Sequence, residues 1–208
     1  MSRTLIKSGS IVTLDRALPD LPRGDVLIED DRIAAIAPVI DAPDAVVVDA
    51  TDRIVMPGFV NAHMHTWQTC LRGIASDWTM PDYLHNMHAG IAPSFAPEDI
   101  FISTLVGALN QIDCGTTTLV DWCHNNPTPA HTDSAVDALQ ESGIRALYLH
   151  GSPKPDPKPG QPHFSEVPHP RSEIERLRRG RFANSEARLT LGMAILGPHY
   201  SAYEVARA

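Results

Sequence analysis

Apolar residues in the first quarter of the chain fall in short runs with no lasting helical period. "TLIKSGSIVTLD" (4–15) is followed by "GDVLIEDDRIAAIAP" (24–38), where two apolar runs flank a polar turn at Asp30 and Asp31. "AVVVDATDRIVMPGF" (45–59) adds another run rich in Val and Ile. Such β-branched runs, bounded by turn residues, predict strands and a small β unit.

The pattern changes after Gly58. In "PEDIFISTLVGALNQIDCG" (97–115) Phe101, Leu105, Ala108, Leu109 and Ile112 recur at helical spacing, with Pro97 near the start and Gly115 past the end. "TTTLVDW" (116–122) reads as a strand, and "DSAVDALQESG" (133–143) as a helix stopped by Gly143. "IRALYLH" (144–150) is the next strand, "RSEIERLRRGRF" (171–182) the next helix and "ARLTLGMAILG" (187–197) again strand. Strands alternating with amphipathic helices predict βα units and a parallel sheet, with functional groups on the loops after the strands' carboxyl ends. Two long loops are expected, at 66–96 and at 151–170; seven of the latter's residues are proline. An ordered loop at a strand end is preferred there to a free linker, since long loops in compact domains tend to be functional.

Composition narrows the classes. A chain of 208 residues with 43% hydrophobic and 20% charged residues has the make-up of a globular protein with a sizeable core. A formal net charge of -8 argues against a nucleic-acid partner, and no Lys/Arg run suggests a membrane surface. The densest basic stretch, Arg176, Arg178, Arg179 and Arg181, reads as the solvated face of a helix. The start lacks the apolar core of a signal peptide, and no run approaches the roughly 18 residues of a membrane span. Cys70, Cys114 and Cys123 have no C-x-x-C spacing and are expected as buried, reduced thiols of a cytoplasmic protein.

Candidate chemistry begins at "MPGFVNAHMHTWQT" (56–69). His63 and His65 stand two apart at the end of an apolar run, and in a strand i and i+2 face the same way. Both imidazoles can then reach one metal ion. Ten histidines in 208 residues produce about half an H-x-H by chance, so the weight rests on context.

That context is ordered. A β-rich start, "IVMPGFVNAHMH", "LRG" at 71–73, Trp78, "GTTTLVDW" at 115–122 and "GPHYS" at 197–201 together resemble the amidohydrolase superfamily. The likeness is to the branch of cytosine, guanine and S-adenosylhomocysteine deaminases and triazine hydrolases, and it covers essentially the whole chain. It implies an α/β fold: a (β/α)8 TIM-barrel metal-dependent hydrolase fold. The first four βα units would lie at 58–208, after an N-terminal β-sandwich segment at 1–57.

The resemblance also implies site residues. His63 and His65 would bind one divalent metal ion, Zn²⁺ first and Fe²⁺ as the alternative, which lowers the pKa of a bound water. His199 would contact substrate. Trp67, Gln68, Arg72, Trp78, Tyr83, His85 and His88 lie in a loop that covers substrate in relatives, where Trp67 or Trp78 could stack on a planar heterocycle. Asp121, Trp122 and His124 would point into the barrel mouth. Plain packing stays open for the tryptophans, a loop-ordering carboxylate for Asp121 and a backbone-satisfied loop histidine for His199. Asp31 takes the place of the usual turn glycine of the amino-terminal hairpin.

The family's remaining ligands, two histidines and an aspartate from later strands, have no counterpart before Ala208. No catalytic base is identified within the chain, which is expected to be inactive alone. His124 and His150 are poor substitutes because each follows a different strand.

The leading functional expectation is a metal-dependent hydrolase of non-peptide carbon–nitrogen bonds, an aminohydrolase (deaminase) of a planar nitrogen heterocycle, working as a homo-oligomer. Hydrolytic dechlorination or amide hydrolysis on the same scaffold is the enzymatic alternative. A non-catalytic metal-binding fragment is the non-enzymatic one.

Overall fold

The computed structural model describes residues 2–208. They divide into two compact units, one ending at Gly58 and the other spanning Phe59–Ala208.

The first unit is a five-stranded sheet built from β1 (Arg3–Ile11), β2 (Leu21–Glu29), β3 (Arg32–Ala37), β4 (Val46–Asp49) and β5 (Ile54–Val55). β1 pairs antiparallel with β2 and parallel with β4 and β5, while β2 and β3 form a hairpin. Leu5, Leu27 and Ala42 form its buried core. Buried Asp25 staples the bulge in β1: its Oδ1 accepts the N–H of Ser8 at 2.9 Å, and its Oδ2 accepts that of Ile40 at 2.9 Å. Ser8 sits there with φ of 66°, a strained conformation for a residue with a Cβ. In the hairpin turn the left-handed residue is Asp30, with φ of 53°, rather than Asp31. Asp tolerates that conformation better than most residues.

The second unit holds a four-stranded sheet, β6 (Phe59–Met64), β7 (Thr116–Cys123), β8 (Arg145–Gly151) and β9 (Leu189–Ala194), in that order and parallel throughout. The strands are followed in turn by α2 (Pro97–Asp113), α3 (Pro129–Ser142), α4 (Arg171–Arg179) and α5 (Tyr203–Arg207). Proline opens α2 and α3, where its missing N–H has no helical partner to lose. Gly143, at φ of 76°, closes α3 in the left-handed conformation. The four βα units expected from periodicity are present.

Alternation along the central strands separates two faces. On β8, Ala146, Tyr148 and His150 are buried toward the helices, whereas Leu147 and Leu149 on the opposite face are half-buried. Tyr148 stacks on Phe182 with ring centroids 6.0 Å apart.

Three expectations need correction. Residues 66–96 are largely helical: a 3-10 helix at Thr66–Leu71, α1 (Met80–Asp82) continuing as a π-helix at Tyr83–Ile91, and a 3-10 turn at Ala92–Ser94. The segment has little regular 3.6-residue period for sequence patterning to detect. On α2 the buried stripe is Ile100, Ser103, Thr104, Gly107 and Ala108, while Leu109 and Ile112 are 48% and 42% exposed. The reason is close approach: a Cβ on Gly107 would stand 2.4 Å from Oγ1 of Thr69, so only a side of small residues fits against the Thr66–Leu71 helix. Among the cysteines only Cys123 is buried; Cys70 and Cys114 are exposed.

The 151–170 segment stays a loop with one 3-10 turn at Phe164–Glu166. The arginine cluster is solvated and ion-paired. Arg176 binds Glu173 at 2.7 Å and Asp133 at 3.0 Å, Arg181 pairs with Asp137, and together they tie α4 to α3. No helix among the described residues is long and apolar enough to cross a membrane.

Candidate active site

His63 is the penultimate residue of β6, and His65 lies just beyond the strand, at φ of -118° and ψ of 82°. Their rings approach edge to face with centroids 4.8 Å apart. Main-chain groups and neighbouring side chains hold the pair. The N–H of His63 donates to Oδ1 of Asn61 at 3.1 Å, and Asn61 in turn donates to Gln111 on α2 at 2.9 Å. Nδ1–H of His65 donates to the carbonyl of Trp122 at 2.7 Å. A carbonyl only accepts, so the proton is on Nδ1 and Nε2 keeps a free lone pair. Burial holds the His65 imidazole below its ordinary pKa, which favours the neutral form a metal requires. The Trp122 ring lies edge-on to both imidazoles, at 5.6 Å and 5.8 Å.

These features fit two ligands of a divalent ion: nitrogen donors, one locked into a tautomer by an outer hydrogen bond. Among the described residues no group of three or more His, Cys, Asp or Glu side chains is arranged to hold a metal. A pair is fewer donors than the three protein ligands a catalytic zinc site normally has.

Asp121 is placed differently from the expectation that it lines the mouth. It is fully buried on the helix-facing side of β7, and its Oδ1 accepts the N–H of Thr66 at 2.9 Å. It thereby anchors the first turn after His65, the loop-ordering alternative. Its Oδ2 has no partner, and burial pushes its carboxyl up to about 6.

Trp67 is also fully buried, packed in the core, with Nε1–H donating to Nδ1 of His124 at 3.0 Å. It has no face free to stack on a heterocycle, because the Thr66–Leu71 helix turns it inward. Gln68 donates from Nε2 to the Tyr83 hydroxyl at 2.7 Å. Trp78 is half-buried and packs against the core. It also lines a surface pocket of about 430 Å³ with His85 and Asn86. Arg72 and His199 are both exposed.

A second cluster lies beside the pair, joining His124, expected at the barrel mouth, to residues of the first long loop. The His124 ring is 4.3 Å from that of His65 and 4.2 Å from that of His88, and Tyr83 meets His88 at 5.0 Å. His88 and His124 are buried, and desolvation pushes His88 down to about 3 and His124 well below its ordinary value. The half-buried Lys154, from the proline-rich loop, depresses His65, His88 and His124 by its charge, and its own ammonium is pushed down to about 8 by burial. These residues come from segments widely separated in sequence, and no spacing announces them.

Three comparisons bear on this geometry. Residues 54–204 match the family model described as "Amidohydrolase family". The chain is 34% identical over 147 residues to the 5-methylthioadenosine/S-adenosylhomocysteine deaminase of Thermococcus kodakarensis, covering 71% of this chain and 33% of the relative. It is 32% identical over 151 residues to the 5'-deoxyadenosine deaminase of Methanosarcina barkeri, covering 73% and 34%. The chain thus spans about a third of the length of these curated relatives. A variant of the atrazine chlorohydrolase of Arthrobacter aurescens TC1, complexed with zinc and atraton, superposes with a TM-score of 0.81 at 21% identity, over 97% of this chain and 48% of that one. That likeness concerns the fold, and it agrees with the parallel βα units as part of a TIM barrel. With the matched stretch running through nearly all of the second unit, the chain belongs to the amidohydrolase family.

Proposed function

We propose that the full-length protein is a metal-dependent hydrolase of non-peptide carbon–nitrogen bonds, removing an amino group from a planar nitrogen heterocycle. The observation that carries this reading is the pairing of His63 with His65, the latter's Nε2 freed because Trp122 takes the Nδ1 proton. In this reading His63 and His65 hold one divalent ion, zinc before iron, in keeping with the zinc in the atrazine chlorohydrolase complex. Bound there, the ion would supply a water acidic enough to act as hydroxide near neutral pH. Residues 1–57 would form part of a composite β-sandwich, and residues 58–208 the first half of the barrel. The named deaminase relatives support the amino group as leaving group.

The rest of the pocket follows from charge and burial. Trp122 would present an apolar edge beside the pair, and Arg72, Trp78 and His199 are accessible enough to meet a substrate. Gln68 would act through Tyr83, and Asp121 by keeping the turn after His65 in place.

The test is metal content together with ammonia release by the full-length protein on aminopurines, adenine nucleosides, aminopyrimidines and aminotriazines, with chloride release from chlorotriazines in parallel. Metal-dependent ammonia release on one class, abolished in His63→Ala and His65→Ala, is the expected result. Stoichiometric metal retained in the double variant would exclude this site. Self-association of the full-length protein is part of the proposal and is read by light scattering.

A further inference from the structure

A second group of chemistry-bearing side chains lies at the carboxyl end of β8. An open cleft of about 520 Å³ lies between the proline-rich loop and the amino-terminal ends of α3 and α4. Pro129, Pro153, Pro155 and Phe164 give it apolar walls, and Ser152 and His150 open onto it. These two belong to a chain of contacts. Ser152 Oγ lies 3.2 Å from His169 Nδ1, His169 Nε2 lies 3.1 Å from His150 Nδ1, and His150 Nε2 lies 3.4 Å from Thr132 Oγ1. Beside Thr132, Arg176 grips the Glu173 carboxylate at 2.7 Å and holds it below its ordinary pKa.

These contacts are satisfied by protons running in either direction along the chain. In the direction that gives the Thr132 oxygen Nε2–H of His150, His150 Nδ1 accepts Nε2–H of His169, and His169 Nδ1 accepts the Ser152 O–H. Burial keeps His150 neutral, its pKa pushed down to about 4. A hydroxyl within reach of an unprotonated imidazole, itself oriented by a third group, is the arrangement that activates a nucleophile. It shares no residue with the His63–His65 pair, because His150 faces the helices rather than the opposite face of the sheet.

We propose that Ser152, with His169 as its base and His150 as the residue positioning that base, is the nucleophile of a second site that takes uncharged esters of small apolar or aromatic acids. Proline and phenylalanine walls suit an apolar acyl group, and Asp156 at the cleft disfavours an anionic one. Ser152 Oγ forms a bond to the acyl carbon as its proton passes to His169 Nδ1. The ester C–O bond breaks, and the alcohol leaves with that proton. Water then attacks the acyl carbon, giving its proton through His169 back to Ser152 Oγ, and the acid leaves. Pro153 follows Ser152 and has no N–H to stabilise an oxyanion, so both acyl transfer and its hydrolysis are slow, and a covalent probe reads the site better than turnover.

The experiment uses the full-length protein and an uncharged alkyl fluorophosphonate, which transfers phosphorus to an activated serine with loss of fluoride. Intact-mass measurement and peptide mapping are expected to find one adduct, on Ser152, at the same rate in the His63→Ala/His65→Ala variant. Labelling should slow by at least about 100-fold in His169→Asn, the usual share of a general base. The rate in wild type should fall as His169 is protonated at low pH. No adduct on Ser152, an adduct elsewhere in its place, or an unchanged rate in a folded His169→Asn variant would overturn the proposal.

Discussion

Two histidine pairs stand at the carboxyl ends of strands in one sheet, and they are built for different work. At β6 the rings of His63 and His65 are 4.8 Å apart, His63 is exposed, and a main-chain carbonyl takes the Nδ1 proton of His65. At β8 the rings of His150 and His169 are 5.1 Å apart at a similar steep angle, but they bond each other directly at 3.1 Å. The first pair keeps a lone pair free for an ion. The second spends its nitrogens on a line of contacts running from the Ser152 hydroxyl to that of Thr132. What a histidine can do is decided by what occupies its other nitrogen. Residue type and place on the strand are common to both.

The largest expected effect falls on the first pair. His63→Ala or His65→Ala in the full-length protein should strip the metal and lower ammonia release by more than about 100-fold, beyond the 10–100-fold typical of an outer-shell partner. Metal analysis and a steady-state assay check this, with thermal melting to show that the fold survives. Loss of metal without loss of activity would erase the distinction between the pairs.

The second effect is on pH dependence, and it belongs to the buried pair. His150 has a folded pKa of about 4 against an ordinary 6.5. Between those values the unfolded chain binds the proton and the folded one does not, so stability rises with pH. The contribution is complete above 6.5 and is lost as pH falls toward 4, amounting to roughly 3 kcal/mol. The melting temperature of His150→Gln should therefore fall less steeply than that of wild type between pH 7 and pH 4.5. Parallel slopes would show that the imidazole is not held neutral by the fold.

A smaller effect tests the support beneath the first pair. The Cβ of Gly107→Ala would meet Thr69 Oγ1 at 2.4 Å and push on the helix that follows His65. Overpacking of this kind costs about 1–3 kcal/mol, read as a lower denaturation midpoint. The β8 network should be unaffected, and fluorophosphonate labelling of Ser152 reports on that. The smallest effect is expected at Arg72→Ala and His199→Ala. Both side chains are exposed, so stability should stay within about 0.5 kcal/mol. Any change in KM then reports contact with substrate alone.

How much of this was legible in the sequence depends on the distance over which each feature is decided. Strands β6 to β9 and helices α2 to α4 could be placed by periodicity, because alternation and helical spacing are properties of neighbouring residues. The His63–His65 pair was visible for the same reason. The burial phase of α2 was not, since it depends on Gly107 meeting Thr69, 38 residues away. A hydrophobicity count favours Leu109 and Ile112 on the inner face, and steric fit favours the small side.

The tryptophans and Asp121 divide along the same line. Sequence left Trp67 open between stacking and packing, and Asp121 open between substrate and loop. The bonds that decide them, Trp67 to His124 and Asp121 to Thr66, span 57 and 55 residues. His88 is one of several polar residues of the first long loop with nothing to mark its partners, Lys154 stands in no motif, and His169 reads as one more residue of a proline-rich loop.

The sequence by itself determined the element order, the parallel βα grammar, the ordered motifs of the amidohydrolase family and the histidine pair at the end of β6. Each is written in residues a few positions apart, where backbone geometry alone sets which side chains share a face. Tertiary structure alone decided which imidazole nitrogens are free, which carboxylate orders a loop, and which serine faces a base. A hydrogen bond is fixed to within tenths of an ångström in space, and the folded backbone, not the interval in sequence, brings its two ends to that distance.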